Sequence, residues 1–513
     1  AAYGPDARAI CEAFVAGVNA FVDAVAAGEQ PLPVEFQRTG TRPARWAAED
    51  VVRIRTHALA RNALSEVARG RLLRAGLGRA DRLRAWLEPE VALPAPEDIP
   101  DLPAEALDPY RLATAGVTFQ PERLACGLED AGRWRTADPL GRVVGDAAEG
   151  SNNWVVPAER TGTGRPLMAC DPHRAHAIPA LRYMVGLRRP GFAALGLGEA
   201  AIPGVSMGHN GTGAWSTTIF YIDQEDVFVV DLDPDDPDVA LRHGRTPVER
   251  VEEAVEVAGH PPQTVALEYL DGMPVVWRDP AGGRLACVRT VWSDPGTAPY
   301  MASLQLMRAE SWEEARAAVR GWGTPSSNLL WADVGGTLGW QAIGTAPVRA
   351  PGATGLVPAP GDGSCDWAGF VDPDDMPWRA GPGAETGAIW TANAYNIPDA
   401  WAAARPPVGH EWYEPSRRDR LAAVLGAGGL HGIAEAAALQ NDVTSLPALR
   451  VQAVLRAAPP AEGDAARAAA LLLSWDGRMG VESAAAALFE IWVGAHLRPA
   501  LARAFGADWA AVA

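Results

Sequence analysis

The chain has 513 residues, 48% hydrophobic and 21% charged, the balance of a globular protein with a large core. Its net charge of −18 argues against non-specific binding to nucleic acid or to an anionic membrane. All 45 basic residues are arginine, which excludes Schiff-base and Ser–Lys chemistry.

Taken in order, Asp6 is placed to cap a helix carrying Ile10, Phe14, Val15, Val18, Phe21 and Val22 on one face and ending near Gly28. A proline-rich link leads to a second helix, from about Trp46 to Arg74, with Gly76 as its stop. Residues 88–125 read as irregular structure with short helices. Residues 127–150 are polar, charged and dotted with glycine, the composition of an exposed, cleavable spacer. From Ser151 to about Gly344 the text is mostly strands and turns. Trp154-Val155-Val156 begins a strand, Thr161-Gly162-Thr163-Gly164 turns it, and Pro166 to Asp171 returns. A turn centred on Gly162 and Thr163 sets Ser151 opposite Arg174 and Asn152 opposite His173, so Ser151 and His173 share one end of a hairpin.

Asn210-Gly211, between Pro203–Gly208 and Trp215–Ile222, signals a second hairpin, and Gly335-Gly336 a third. The run Asp231 to Asp238 reads as an exposed acidic turn. Loops rich in Gly, Pro and Trp fill 350–415. Helices return at Arg418–Leu425, Gly432–Leu439, Leu446–Arg456, Asp464–Leu473 and from about Ser483 to Phe505. Cys11, Cys126, Cys170, Cys287 and Cys365 are scattered without a CxxC pair, which suits neither a disulfide framework nor a zinc site. No uninterrupted apolar run is long enough to span a membrane, and no signal peptide is visible.

A serine after glycine is by itself an ordinary loop residue. Here Gly150-Ser151-Asn152-Asn153-Trp154 is followed about twenty residues on by Asp171-Pro172-His173. This pattern resembles the penicillin acylase family of N-terminal nucleophile hydrolases. Further blocks match in order: Phe14 to Ala20, Ala214 to Ile219, Ser326 to Asp333, Gly344 to Arg349, Thr391-Ala392-Asn393, Gln440 to Val443 and Trp475-Asp476-Gly477. Members of the family carry a further segment before the Asn19 block and continue beyond residue 513.

The resemblance implies an α+β fold, the four-layer αββα sandwich of N-terminal nucleophile hydrolases with surrounding helices. It implies a mainly helical α-chain-like segment over 1–126, a spacer over 127–150 and a β-chain-like catalytic segment over 151–513, with strands to about 350, loops over 350–415 and helices over 416–513. It implies self-cleavage between Gly150 and Ser151, giving an α/β heterodimer whose free Ser151 is nucleophile and base together. A serine hydroxyl is a poor nucleophile without a base. A free α-amino group, with a pKa of about 7.7–8.0, lies close to where a general base works best.

The same resemblance assigns His173 an orienting or proton-handling role, the Ile219 N–H and the Asn328 side chain to the oxyanion, and Arg349 a structural or polar-steering role. It places a structural Ca²⁺ ion on Asp223, Glu225 and Asp226, with Glu66 completing the set, since hard oxygen ligands suit calcium. No organic cofactor is implied. The substrate class is a small N-acyl amide, either a β-lactam side-chain amide or an N-acyl homoserine lactone, and the location is periplasmic or secreted. Arg174, where acylases for phenylacetyl groups place an apolar residue, implies either a more polar or anionic acyl group or an arginine that points away from the pocket. His173, His176 and Asp171 lack helical zinc spacing. Gly204-Val205-Ser206-Met207-Gly208 fits the nucleophile elbow of α/β-hydrolases. That elbow needs a helix after it, whereas Asn210-Gly211 turns into another strand.

Overall fold

The computed structural model describes the chain except for residues 1, 55–61, 115–135, 138–142, 145–149, 174–179, 257–259, 280, 459–461 and 510–513. Cys126, Arg174, His176 and most of the 127–150 spacer lie outside the described residues. The same holds for the middle of the helix expected over Trp46–Arg74, whose two ends are helical, as α2 (Ala48–Arg53) and α3 (Asn62–Arg74).

Strand β1 (Gly150–Val156) is buried on both faces, and its alternation shows why. Val155 packs into an apolar layer with Phe220, Ile222, Leu330, Leu338 and Trp340. Trp154 and Val156 point the other way, onto Leu421, Leu425, Ala436 and Leu439. The last four belong to α6 (Ser416–Leu425) and α7 (Ile433–Gln440). β1 is the middle strand of a three-stranded antiparallel sheet, between β2 (Leu167–His173) and β12 (Ile389–Thr391).

The facing sheet has seven strands. They are β3 (Arg182–Arg189), β4 (Phe192–Glu199), β5 (Met207–His209), β6 (Gly213–Ile219), β9 (Ser327–Asp333), β10 (Thr337–Ile343) and β11 (Trp378–Pro382), in the order β11-β10-β9-β6-β5-β4-β3. Along β9 the period of two sends Leu330 and Ala332 to the inter-sheet layer and Leu329 and Trp331 to the opposite face. That opposite face is covered by α1 (Ala7–Ala26), α4 (Ser303–Leu306) and α5 (Trp312–Val319). Ser311 caps α5 by accepting from the Glu314 N–H at 3.2 Å, and Trp312, Ala315 and Val319 form its buried stripe. Gly339 on β10 makes room for the Trp312 ring, since a Cβ there would lie 2.5 Å from it. Helices, sheet, sheet and helices thus stack as the expected αββα sandwich. Leu330 is fully buried between the two sheets, and its truncation to alanine costs about 2–5 kcal/mol.

A third, eight-stranded sheet is built around the pair β7 (Glu225–Asp233) and β8 (Arg284–Thr290). α3 packs on it through Ala63 and Val67, with Leu102, Leu107 and Tyr110. The C-terminal helices follow the expected pattern: α8 (Leu446–Ala457), α9 (Gly463–Ser474), α10 (Ala484–Ile491) and, after a π-helical turn at Trp492–Leu497, α11 (Arg498–Ala504).

Several expectations are corrected. The first hairpin pairs Gly150 with His173, Ser151 with Pro172 and Asn152 with Asp171, a two-residue shift. The chain reverses earlier because a 3₁₀ turn forms at Ala158–Arg160 and the Thr161 hydroxyl donates to the Arg165 carbonyl at 2.7 Å. Asp6 makes no cap bond, because its carboxylate is taken by Gln305 and Arg308. The acidic run from Asp231 is a hairpin, in which β7 continues to Asp233 and pairs with Asp236–Ala240. The loops of 350–415 contain β11 and β12, short edge strands whose Gly, Pro and Trp content masks them. α1 is long and apolar enough by composition to cross a membrane, yet Ala7, Cys11 and Val15 pack it against the second sheet's helix layer.

Candidate active site

The layer between the two sheets is apolar at one end and polar at the other. Ser151, Asn153, Ser216, Thr218, Asn328, Thr391 and Asn393 gather at the polar end, each no more than 2% exposed. Buried polar groups are tolerable only when hydrogen-bonded, and these bond to one another. Asn153 Nδ2 donates to Ser216 Oγ at 3.0 Å, and the Thr391 hydroxyl donates to Asn153 Oδ1 at 2.5 Å. Thr391 and Thr218 share a hydrogen bond of 2.6 Å.

Ser151 lies at the rim of this network. Its N–H donates to Asn393 Oδ1 at 2.6 Å, and its hydroxyl donates to the Gly150 carbonyl at 2.5 Å. The Ser151 carbonyl accepts from an Arg417 nitrogen at 2.9 Å. Gly150 has no spare room, because a Cβ there would stand 3.2 Å from Arg417, 3.3 Å from His173 Nδ1 and 3.4 Å from Asn393 Oδ1. Asn393 reaches this position with φ of +62°, a left-handed conformation that asparagine tolerates better than most residues. Its Nδ2 donates to the Ile219 carbonyl at 2.8 Å.

Asn328 meets the same carbonyl from the other side. Its Nδ2 donates to Ile219 O at 3.3 Å and to Thr218 Oγ1 at 3.0 Å. Its orientation is fixed, since Oδ1 accepts from Trp340 Nε1 (2.7 Å) and Asn396 Nδ2 (2.9 Å). Ser151, Ile219 and Asn328 are therefore linked through Asn393. His173 sits opposite Gly150, with Nε2 3.1 Å from Asp171 Oδ2. His173 thus stands beside the Gly150–Ser151 bond, while the Ile219 carbonyl connects to it through Asn393, and Asn328 bonds that carbonyl in turn.

Arg349 is placed elsewhere. Its guanidinium pairs with Asp226 (2.9 Å) and Asp223 (2.9 Å) and donates to the carbonyls of Asp223 and Glu225 (3.2 Å each). Burial raises the Glu66, Asp223 and Asp226 carboxyls above their ordinary range, Glu66 and Asp223 well above it. Arg349 pulls the two aspartates partly back. Two of the acids assigned to calcium by resemblance, Asp223 and Asp226, therefore face an arginine. The Glu225 side chain turns away to Tyr110 (2.7 Å) and Thr290 (3.1 Å). Glu66 accepts from the Val227 N–H at 2.9 Å. Among the described residues no group of three or more His, Cys, Asp or Glu could hold a metal ion. Glu66 Oε1 and Asp223 Oδ2 are buried without a hydrogen-bond partner, so Arg349 does not satisfy every oxygen of these acids.

Ser206 of the elbow-like motif is 2% exposed and runs straight into β5, without a helix. Two residues at the site carried no assigned role in the sequence. Asn393 lies in a recognisable block, but only the structure shows its left-handed backbone and its side-chain bonds to Ser151, Ile219 and Arg417. Arg417 is 266 residues from Ser151, and no local pattern marks it.

Comparison with known proteins supplies a second line of argument. The family model described as penicillin amidase matches residues 1–513. The acyl-homoserine lactone acylase QuiP of Pseudomonas aeruginosa is 30% identical, over 94% of this chain and 58% of its own length. The penicillin acylase 2 proenzyme of Pseudomonas sp. (strain SE83) is 28% identical, over 98% of this chain and 62% of its own length. Among solved structures, a thermostable penicillin G acylase from Alcaligenes faecalis superposes with a TM-score of 0.57 at 24% identity, covering 64% of this chain and 59% of that one, a likeness of fold. The chain spans about three-fifths of the length of these curated relatives.

Proposed function

For a chain that belongs to the penicillin amidase family, we propose a self-processing amidohydrolase whose nucleophile is Ser151. The observation that carries this reading is the Ser151 hydroxyl, 2.5 Å from the carbonyl oxygen of the bond to be cut, with the nitrogen of that bond held by Asn393 at 2.6 Å. Attack of Oγ on the Gly150 carbonyl carbon shifts the acyl group from nitrogen to oxygen, and water then hydrolyses the ester. The products are a Gly150 carboxylate and a Ser151 with a free amine. Glycine before the cut is accounted for by the crowding from Arg417, His173 and Asn393.

In the mature enzyme Ser151 Oγ attacks the substrate amide carbonyl, and its own amine takes the proton, through a water. The Ile219 N–H and the Asn328 amide stabilise the oxyanion. For this Asn328 exchanges the Ile219 carbonyl for the substrate oxygen. His173 orients the hydroxyl from the neighbouring strand. An acyl-enzyme forms, the amine leaves, and water releases the acid. The two relatives' names point to the side-chain amide of a β-lactam antibiotic and to N-acyl homoserine lactones as the substrates to compare. The two segments stay together as an α/β heterodimer, in the periplasm or outside the cell.

The test is intact mass with N-terminal sequencing, followed by amine release from penicillin G and from N-acyl homoserine lactones. A new chain beginning Ser-Asn-Asn-Trp, with activity lost in Ser151→Ala, is the expected result. An uncut chain, or activity that survives Ser151→Ala, would overturn the proposal.

A further inference from the structure

Ser65 and Arg69 lie one turn apart on α3, and both side chains end on Glu411, 346 and 342 positions later in sequence. The Arg69 side chain is 0% exposed. Its Nε donates to Asp81 at 2.8 Å, one terminal nitrogen donates to the Leu356 carbonyl at 3.0 Å, and the other bonds the Glu411 carboxylate. The Ser65 hydroxyl donates to the same Glu411 oxygen. Arg84 closes the set, donating to Ser65 Oγ and to Asp81 Oδ1, both at 2.6 Å. Two guanidiniums thus balance two carboxylates in a largely buried quartet. The backbone follows the side chains. Trp86–Leu87 pairs antiparallel with Glu411–Trp412, the Glu88 N–H donates to the His410 carbonyl at 2.9 Å, and Trp412 Nε1 donates to the Glu88 carbonyl at 2.7 Å.

The next residues of this stretch lead to Ser151. The Tyr413 N–H donates to the Asn393 carbonyl at 3.2 Å, and the Asn393 side chain accepts the Ser151 N–H at 2.6 Å. The Trp412 ring meets the Phe220 ring edge-on, 4.9 Å between centres, directly after Ile219. Of the quartet, only Glu411 lies beyond the Gly150–Ser151 bond. We infer that Arg69 and Glu411 are positioning residues: the quartet fixes residues 410–413 against the segment ahead of the cut, and the Tyr413 N–H passes that placement to Asn393 and so to Ser151. The first segment then sets the geometry of the site from outside it. The inference rests on the reading that Ser151 is the nucleophile.

Placement, rather than holding strength, is what such a quartet supplies. The two segments are already held by apolar contacts. Ala7, Cys11 and Val15 pack on the helix layer of the second sheet, and Ala63 and Val67 pack on Val227 and Val229. A buried ion pair is about neutral in stability against apolar side chains of similar volume, because desolvation offsets the attraction. Its bonds are directional, however, and an apolar contact is not. With Arg69 bonded at all three nitrogens, Glu411 has one arrangement in which it meets both Arg69 and Ser65. Apolar side chains in their place would keep the segments together and let residues 410–413 shift.

The experiment compares wild type, Glu411→Gln and the double variant Arg69→Met with Glu411→Leu, in which Asp81 keeps Arg84 as its partner. The readouts are Tm, the fraction cut before Ser151 over time by intact mass, and kcat and KM for amide hydrolysis, all per folded molecule. The double variant is expected to keep its Tm within about 3 °C of wild type. Its self-cleavage and kcat are expected to fall roughly tenfold, with KM within about twofold, because a displaced group slows the chemistry rather than the binding. Glu411→Gln keeps the oxygen that Arg69 and Ser65 bond, and should stay within about threefold of wild type in both rates. Wild-type rates in the double variant would overturn the inference, as would rates that fall only in step with Tm, or a Glu411→Gln as slow as the double variant. If the double variant does not fold, Trp412→Phe decides, since it removes the indole bond to Glu88 and keeps a buried ring. Its self-cleavage should slow several-fold per folded molecule, and an unchanged rate overturns the inference. A wild type that remains uncut overturns the reading beneath it, whereas normal cutting in wild type and variants alike overturns this inference alone.

Discussion

Asn393 Oδ1 accepts the Ser151 N–H at 2.6 Å across 242 positions of sequence, and the same oxygen accepts from Arg417. Replacing Asn393 by alanine removes both bonds and leaves a residue with a Cβ at φ of +62°. Loss of a charged hydrogen bond costs about 1.5–3 kcal/mol. Self-cleavage of Asn393→Ala is therefore expected to slow by roughly tenfold or more. The check is the fraction cut over time by intact mass, and wild-type kinetics would refute it.

Gly150→Ala brings a methyl group to 3.2–3.4 Å from Arg417, His173 and Asn393. This separation requires small shifts of side chains that hold the scissile bond, so cleavage should be slower but present. Gly150→Val should remain uncut. Both are read by the same time course, and rapid processing of the valine variant would show that the pocket is not the constraint.

Arg349 supplies the cation for Asp223 and Asp226, with its side chain 10% exposed and theirs 3% and 6%. Arg349→Met leaves two buried carboxylates unpaired and should cost roughly 3–5 kcal/mol. Dialysis against EDTA should leave the Tm unchanged. A Tm that falls on chelation and recovers with Ca²⁺ would mean that the acids hold a metal after all.

Glu225 is fully buried, and burial raises its carboxyl from an ordinary 4.5 to about 7, against the lowering bonds from Tyr110, Ala63 and Thr290. A raised carboxyl binds its proton more tightly folded than unfolded. Its contribution is therefore complete below 4.5 and is lost as pH rises to about 7, a swing of roughly 3 kcal/mol. Urea midpoints between pH 4.5 and 7.5 should show a decline that Glu225→Gln flattens. An equal decline in that variant would assign the slope to other groups.

The elbow-like serine gives a direct contrast. Ser206 is 2% exposed, and no helix follows it. Ser206→Ala should keep amide hydrolysis within about twofold of wild type, as expected for a buried change away from the site. Ser151→Ala should abolish it. The reverse pattern would move the nucleophile to Ser206.

What the sequence determined by itself were the periodic elements and the run of family-like blocks around Ser151. β1, β9 and β10 alternate with a period of two, the terminal helices carry their starts within a residue or two, and Asn210-Gly211 and Gly335-Gly336 mark their turns, because these signals are local. The register of the first hairpin depended on a 3₁₀ turn at Ala158–Arg160, a stretch of Ala, Glu and Arg with no Gly or Asn to announce it. The partners of Ser151 were decided only in three dimensions. Arg417 and Asn393 stand far away in sequence and reach Ser151 because α6 packs Leu421 and Leu425 on the outer face of β1, while β12 pairs with its edge. Arg349 went to the buried acids for a related reason. Desolvated carboxylates need a cation, and which cation they meet is set by the packing of β7 against the loops around it, a relation that no spacing in the chain encodes.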